Sequence, residues 1–162
     1  MTAKNVAIYP GTFDPITFGH LDIIRSGLKM FDSLYIAVAA NTRKKPVFTA
    51  DERVELIKDA TRGLRGIHVE AFDGLVVDFA KIKKAKVIIR GIRATSDFDY
   101  EFQMALMNRK LSLKIQTIFL MPSEENFYLS SGLIKEITHL GGSIGDFVPG
   151  YAAGKLLDRL RK

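Results

Sequence analysis

Five short apolar runs, each followed by a stretch patterned like a helix, constrain this chain most. Val6–Tyr9, Leu34–Ala39, Ile67–Phe72, Val87–Ile89 and Gln116–Leu120 are three to six residues long and rich in β-branched and aromatic side chains. That length and composition suits buried strands. Strands that alternate with helices predict a parallel sheet joined by right-handed crossovers.

The intervening segments support this. Leu21, Ile24, Leu28 and Phe31 recur at helical spacing, which predicts a helix from about His20 to Phe31. Thr49-Ala50-Asp51-Glu52 has the form of a capping box, with a helix running to about Thr61. Leu75–Lys83 reads as a short helix. Asp99–Leu111 reads as an amphipathic one, with Phe98, Phe102, Ala105, Leu106 and Arg109 along one side. Ser131–Leu140 and Tyr151–Leu160 close the chain. No linker, repeat or low-complexity segment divides residues 1–162, so one Rossmann-like α/β domain is expected, with five parallel strands and helices on both faces. In such open sheets the ligand sits beyond the carboxyl ends of the strands. That rule selects the loops 10–20, 40–48, 73–75 and 90–97.

The first of these loops holds the densest set of unusual residues, Tyr9-Pro-Gly-Thr-Phe-Asp-Pro-Ile-Thr-Phe-Gly-His20. Pro10 and Gly11 are expected to end the first strand. Gly11 and Gly19 allow tight turns and close backbone approach to a ligand. Gly19-His20 opens the helix, whose first N–H groups and positive dipole end suit a phosphate. His20 adds a donor there, and Thr12 offers a hydroxyl and an N–H. Asp14 is read as an Asx-turn residue or a magnesium contact. A lone histidine is ordinarily a surface or core residue, and the helix N-terminus sets this one apart.

Charged residues concentrate in the other selected loops. Arg43-Lys44-Lys45-Pro46 follows the second strand, where a basic run would ordinarily be a solvated turn. Arg90-Gly91-Ile92-Arg93 follows the fourth, and arginine forks bind phosphate in two-point fashion. Glu101 and Asn108 lie two turns apart on one helix face. Ser130 and Ser131 stand where a helix cap is expected, and a cap is their ordinary role.

The bulk composition excludes several classes. The chain has 162 residues, no cysteine and a net charge of +6. Disulfides and thiolate metal sites are ruled out. No apolar stretch is long enough to span a bilayer, and the N-terminus lacks a signal-peptide core. A soluble, cytoplasmic protein with no membrane association is expected. Basic residues are not interleaved with an aromatic platform, so small phosphorylated substrates explain the charge better than nucleic acid. Gly150-Tyr-Ala-Ala-Gly-Lys155 is too short for a P-loop. His68 and His139 lack ligand companions at metal-site spacing, and no protein metal site is expected.

Thr17-Phe18-Gly19-His20 resembles the T/H-x-G-H signature of the nucleotidyltransferase superfamily. The longer string from Gly11 to His20 is similar to that of the bacterial phosphopantetheine adenylyltransferases. Four further strings agree with that family in order and spacing. They are Lys44-Lys45-Pro46, Phe48-Thr-Ala-Asp-Glu-Arg-Val54, Ile89-Arg-Gly-Ile-Arg93 and the helix Asp99–Asn108. Leu129-Ser130-Ser131-Gly132 matches a fifth, with Gly132 in place of the usual hydroxyl residue and Asn126 where an aromatic is common.

The resemblance implies adenylyl transfer from ATP to 4′-phosphopantetheine, giving dephospho-coenzyme A and pyrophosphate. It implies catalytic roles for His20, Lys44 and Thr12. ATP would be bound by Thr12, Phe13, His20, Gly91, Ile92, Arg93, Glu101 and the run Asn126, Phe127, Tyr128, Leu129, Ser130, Ser131 and Gly132. The acceptor would meet Thr12, Lys44, Val76, Arg90 and Asn108. Magnesium (Mg2+) bridging the phosphates, a homohexamer and feedback inhibition by coenzyme A are also implied. The residues alone support only nucleotidyl transfer to a phosphorylated acceptor. A cytidylyltransferase acting on a phosphorylated alcohol, or a non-catalytic nucleotide-binding module, shares part of the pattern.

Overall fold

The computed structural model describes residues 5–40 and 45–161. Its elements alternate as β1 (Val6–Gly11), α1 (Phe18–Leu28), β2 (Ser33–Ala39), α2 (Ala50–Ala60), β3 (Ile67–Phe72), α3 (Val76–Ile82), β4 (Val87–Gly91), α4 (Thr95–Leu111), β5 (Gln116–Leu120), α5 (Ser131–His139) and α6 (Gly150–Leu160). The five strands form one sheet in the order β3-β2-β1-β4-β5. Every pairing is parallel.

The pleat divides the core in two. Ala7 and Tyr9 of β1, Ile36 and Val38 of β2 and Ile89 of β4 face a large cluster with Leu21, Ile24, Leu56, Ile57, Ile134 and Leu156. Their strand neighbours Ile8, Ala37 and Ile88 point the opposite way, against Val77, Phe79, Ala80 and Ile115. Successive side chains of a strand alternate faces, so runs that are apolar throughout need both layers of helices. The expected fold is the one observed.

Two boundaries and one helix differ from expectation in ways that matter for the site. Pro10 and Gly11 do not end β1; they continue in register with Ala37 and Val38 of β2. Arg90 and Gly91 belong to β4, paired with Phe119 and Leu120 of β5, rather than to the loop after it. Strand pairing therefore carries each motif up to its first functional residue.

The helix α4 is 17 residues long and is not amphipathic in the expected sense. Among its described side chains the buried ones are the polar Glu101 and Asn108, while Phe98, Phe102 and Leu106 are exposed. Glu101 is held inward by Arg90 at the end of β4, and Asn108 lies two turns further along the same face. That turns the apolar side chains outward.

The chain runs β1, β2, β3 to one edge of the sheet and then returns to place β4 beside β1. The strand order reverses between β1 and β4, which is where open α/β sheets place their ligands.

Candidate active site

A cleft of about 480 Å³ opens over the carboxyl ends of β1 and β4. Its walls are the β1–α1 loop, the end of β4 and the first turn of α5. A second cavity of about 370 Å³ lies on the other side, between the β1 loop, the start of α3 and α4. The two share Pro10, Gly11, Thr12, Arg90 and Glu101. Thr12 and Arg90 thus stand at a junction between two compartments.

On the first wall, α1 starts two residues earlier than its apolar pattern suggested. Thr17 is the N-cap, and it forms a capping box with His20 at the third position. The Thr17 hydroxyl accepts the His20 backbone N–H at 3.3 Å. The Thr17 N–H donates to His20 Nδ1 at 3.0 Å, and Thr17 Oγ1 lies at the same distance. Nδ1 is therefore the acceptor nitrogen, and a neutral ring carries its proton on Nε2. Burial pushes the His20 pKa down to about 3, helped by the charges of Arg93 and Arg90. The imidazole is neutral at physiological pH, a fixed donor rather than a base. Phe13, at 5.0 Å between ring centroids, packs against it edge-on. Among the other first-turn groups, Phe18 N–H is taken by the Phe147 carbonyl at 3.0 Å. Gly19 keeps its backbone close to the 122–128 loop, since a Cβ there would lie 3.2 Å from the Asn126 carbonyl.

Asp14 is neither an Asx-turn residue nor an open metal ligand. It is buried, and its carboxylate accepts the N–H groups of Val47 at 2.9 Å and Phe48 at 3.0 Å. It also pairs with Lys135 of α5 at 2.8 Å. One carboxylate thus joins three segments: the β1 loop, the entry to α2 and helix α5.

At the junction, Arg90 Nε donates to Glu101 Oε2 at 2.6 Å and Nη2 to Oε1 at 2.5 Å. Nη1 donates to the Pro10 carbonyl at 2.6 Å. Burial opposes the charge on Arg90, but its hydrogen bonds and proximity to Glu101 hold its pKa above the ordinary value. Three of its five N–H groups are used, which leaves two to meet a ligand. Glu101 lines both cavities, but its two oxygens face Arg90. Arg93 spans from Asp97, at 3.1 Å, to the Leu129 carbonyl, at 2.9 Å.

The α5 turn carries donors as expected, although its hydroxyls are partly spent. Ser130 caps the helix by accepting the Leu133 N–H at 3.1 Å. Ser131 donates to the Pro15 carbonyl at 2.9 Å. A Cβ on Gly132 would meet nothing within 4 Å, so that position faces open space.

Most of the expected ATP residues converge on the first cleft: Thr12, Phe13, His20, Gly91, Arg93, Glu101 and Leu129–Gly132. Ile92, Asn126, Phe127 and Tyr128 do not line it. Ile92 N–H is tied to the Leu120 carbonyl at 2.9 Å. The Asn126 amide donates to Asp22 at 2.8 Å, pinning the 122–128 loop to α1. Phe127 and Tyr128 are exposed. Of the acceptor set, Thr12, Val76, Arg90 and Asn108 line the second cavity. Lys44 lies outside the described residues. Sequence reasoning missed Arg53 and Lys135. Arg53 was visible only as one letter of the Phe48–Val54 string.

Known proteins similar to this chain show its family and its fold. Residues 8–137 match the cytidylyltransferase-like family. A phosphopantetheine adenylyltransferase of Caldanaerobacter subterraneus subsp. tengcongensis is 50% identical over 157 residues, 97% of this chain and 98% of that protein. One of Thermodesulfovibrio yellowstonii is 52% identical over 156 residues, 96% of this chain and 97% of that protein. A solved structure from Vibrio parahaemolyticus, described as a candidate nicotinate-nucleotide adenylyltransferase, superposes with a TM-score of 0.69 at 19% identity. It covers 96% of this chain and 93% of its own, and shows the shared fold. With the T-x-G-H turn, the twin-arginine strand end and near full-length relatives at about half identity, this chain belongs to the phosphopantetheine adenylyltransferases of the cytidylyltransferase-like family.

Proposed function

We propose that this protein transfers the adenylyl group of ATP to 4′-phosphopantetheine, forming dephospho-coenzyme A and pyrophosphate. The observation that carries the reading is the pair of cavities meeting at Thr12 and Arg90. One has a phosphate-suited floor made of two helix N-termini. The other is walled by Val76, Leu75, Met104 and Asn108, a mixed apolar and amide lining that suits a pantetheine arm.

The acceptor brings its own nucleophile, a phosphate oxygen, so no strong base is required. Attack at the α-phosphorus expels pyrophosphate, and catalysis is positioning plus stabilisation of charge. His20 Nε2–H and the Thr12 hydroxyl and N–H are the donors for the α-phosphate. The two remaining N–H groups of Arg90 hold the acceptor phosphate, and Lys44 is assigned to the transferred and acceptor phosphates. Glu101 sets the plane of the Arg90 fork. Arg93 and the α5 turn hold the ATP.

Each carboxylate that lines the first cleft is already ion-paired: Asp14 with Lys135, Asp97 with Arg93, Glu101 with Arg90. Among the described residues no group of three His, Asp or Glu side chains could form a metal cage. Magnesium therefore fits this site as a partner of the nucleotide's phosphates, and no step is assigned to a protein-held ion.

We further propose a cytoplasmic homohexamer inhibited by coenzyme A. The exposed apolar residues of α4, including Tyr100, Phe102 and Met107, support assembly. The acceptor cavity supports coenzyme A as a competitor. No helix among the described residues is long and apolar enough to cross a membrane. Mass spectrometry of a reaction with ATP and 4′-phosphopantetheine tests the central reading. Dephospho-coenzyme A should form with ATP and not with CTP.

A further inference from the structure

Arg53 is the largest fully buried side chain of the described residues, 1% exposed, and it forms no salt bridge. A guanidinium is an expensive way to fill a core, so its partners matter. Its hydrogen-bond partners among the described residues are all backbone carbonyls, and the nearby Asp14 carboxylate favours its charge. Nη1 donates to Thr12 at 2.6 Å and to Ala39 at 3.0 Å. Nε donates to Phe48 at 3.1 Å and to Thr49 at 3.3 Å.

These four carbonyls come from three places. Thr12 lies in the β1 loop at the junction of the two cavities. Ala39 ends β2. Phe48 and Thr49 lead into α2, and Lys44 falls between Ala39 and Phe48 in sequence. The same Phe48 presents its N–H to Asp14 on the opposite side. Val47 and Phe48 are further held by Arg159 of α6, whose Nη1 donates to the Val47 carbonyl at 2.9 Å and whose guanidinium lies over the Phe48 ring.

We infer that Arg53 is a positioning residue for the transfer step, fixing Thr12 against the two ends of the segment between β2 and α2. This rests on the adenylyl-transfer reading above. The planar fork is what makes the arrangement possible. A lysine ammonium is a point charge and cannot reach carbonyls on separate edges of a guanidinium plane.

The test uses Arg53→Lys in the full chain beside wild type. Steady-state kinetics should show kcat at least tenfold lower, with the ATP KM changed less than threefold. Amide exchange at Val47 and Phe48 should quicken at least tenfold, while β1 and β4 amides keep their protection. An unchanged kcat, or a loss that only follows a reduced folded fraction, would overturn the inference. Should Arg53→Lys not fold, Arg53→Gln, which keeps two donors without charge, takes its place. Failure of both to fold would make Arg53 a folding residue and overturn the inference too. A wild-type protein that forms no dephospho-coenzyme A would count against adenylyl transfer itself; the exchange rates would then decide alone whether Arg53 holds the junction.

Discussion

Arg90 and Glu101 are locked in a two-point ion pair at the wall between the two cavities, with both bonds at 2.6 Å or less. The pair sets the direction in which the remaining Arg90 donors point. Arg90→Lys keeps the charge and loses the fork. It should raise the acceptor KM and lower turnover by tenfold or more, because a lysine ammonium cannot satisfy Glu101, Pro10 and a phosphate together. Glu101→Gln should do the same and lower stability by about 1.5–3 kcal/mol, the range for hydrogen bonds to charged groups. Kinetics against each substrate and urea melts check both. Wild-type acceptor KM in Arg90→Lys would remove Arg90 from the acceptor site.

His20→Asn separates two roles of the imidazole. Its amide oxygen can stand in for Nδ1 as acceptor of the Thr17 N–H, while the Nε2 donor is gone. Loss of one such donor costs roughly 3 kcal/mol of transition-state stabilisation, about a hundredfold in kcat. The ATP KM should change much less. Near-normal turnover would show that charge on the α-phosphate is stabilised elsewhere.

The same residue gives a pH prediction. His20 has a folded pKa of about 3 against an ordinary 6.5. Between those values the unfolded chain binds the extra proton, so stability rises with pH through that window. The contribution is complete above 6.5 and is lost as pH falls toward 3. Thermal melts at pH 7.5 and 5.0 should show a smaller drop for His20→Asn than for wild type. Equal drops would mean that the ring is not held neutral.

Asp14→Asn should weaken the junction without altering the metal requirement. The variant loses the Lys135 pair and one of two N–H acceptors, at a cost of roughly 1.5–3 kcal/mol. Denaturant melts should show that loss. The magnesium concentration for half-maximal rate should stay within twofold of wild type. A large rise would make Asp14 a metal ligand.

Gly132→Ser should be tolerated. The added side chain enters open space. Serine is a better helix residue than glycine by a few tenths of a kcal/mol. An extra neutral hydrogen bond to a phosphate is worth only about 0.5–1.5 kcal/mol. The ATP KM should move less than tenfold. A variant that gains activity from an inactive parent would show that glycine disables the site.

The strands and the loops that carry the site were legible because their signals are local. Alternation of apolar runs with helices specifies a parallel sheet. The Thr49–Glu52 capping box forms as written. What could not be read lies in bonds between distant residues. Asp14 finds Phe48 across 34 positions and Lys135 across 121, so neither its neighbours nor its spacing reveal the clamp. Arg53 looks like any helical surface arginine until the Thr12 carbonyl, 41 positions away, is brought to it. The periodicity of α4 pointed to a buried apolar side, but Glu101 turns inward to Arg90, a partner that the helix's own pattern does not show. Asn126 likewise was expected to meet ATP, yet binds Asp22.

The central claim is that the two cavities are the two substrate sites of one transfer reaction. Pyrophosphate release from ATP, measured with and without 4′-phosphopantetheine, tests it most directly. Release should require the acceptor, match dephospho-coenzyme A one for one, and fall about a hundredfold in His20→Asn. Release that proceeds equally without the acceptor, or none with both substrates present, would contradict it.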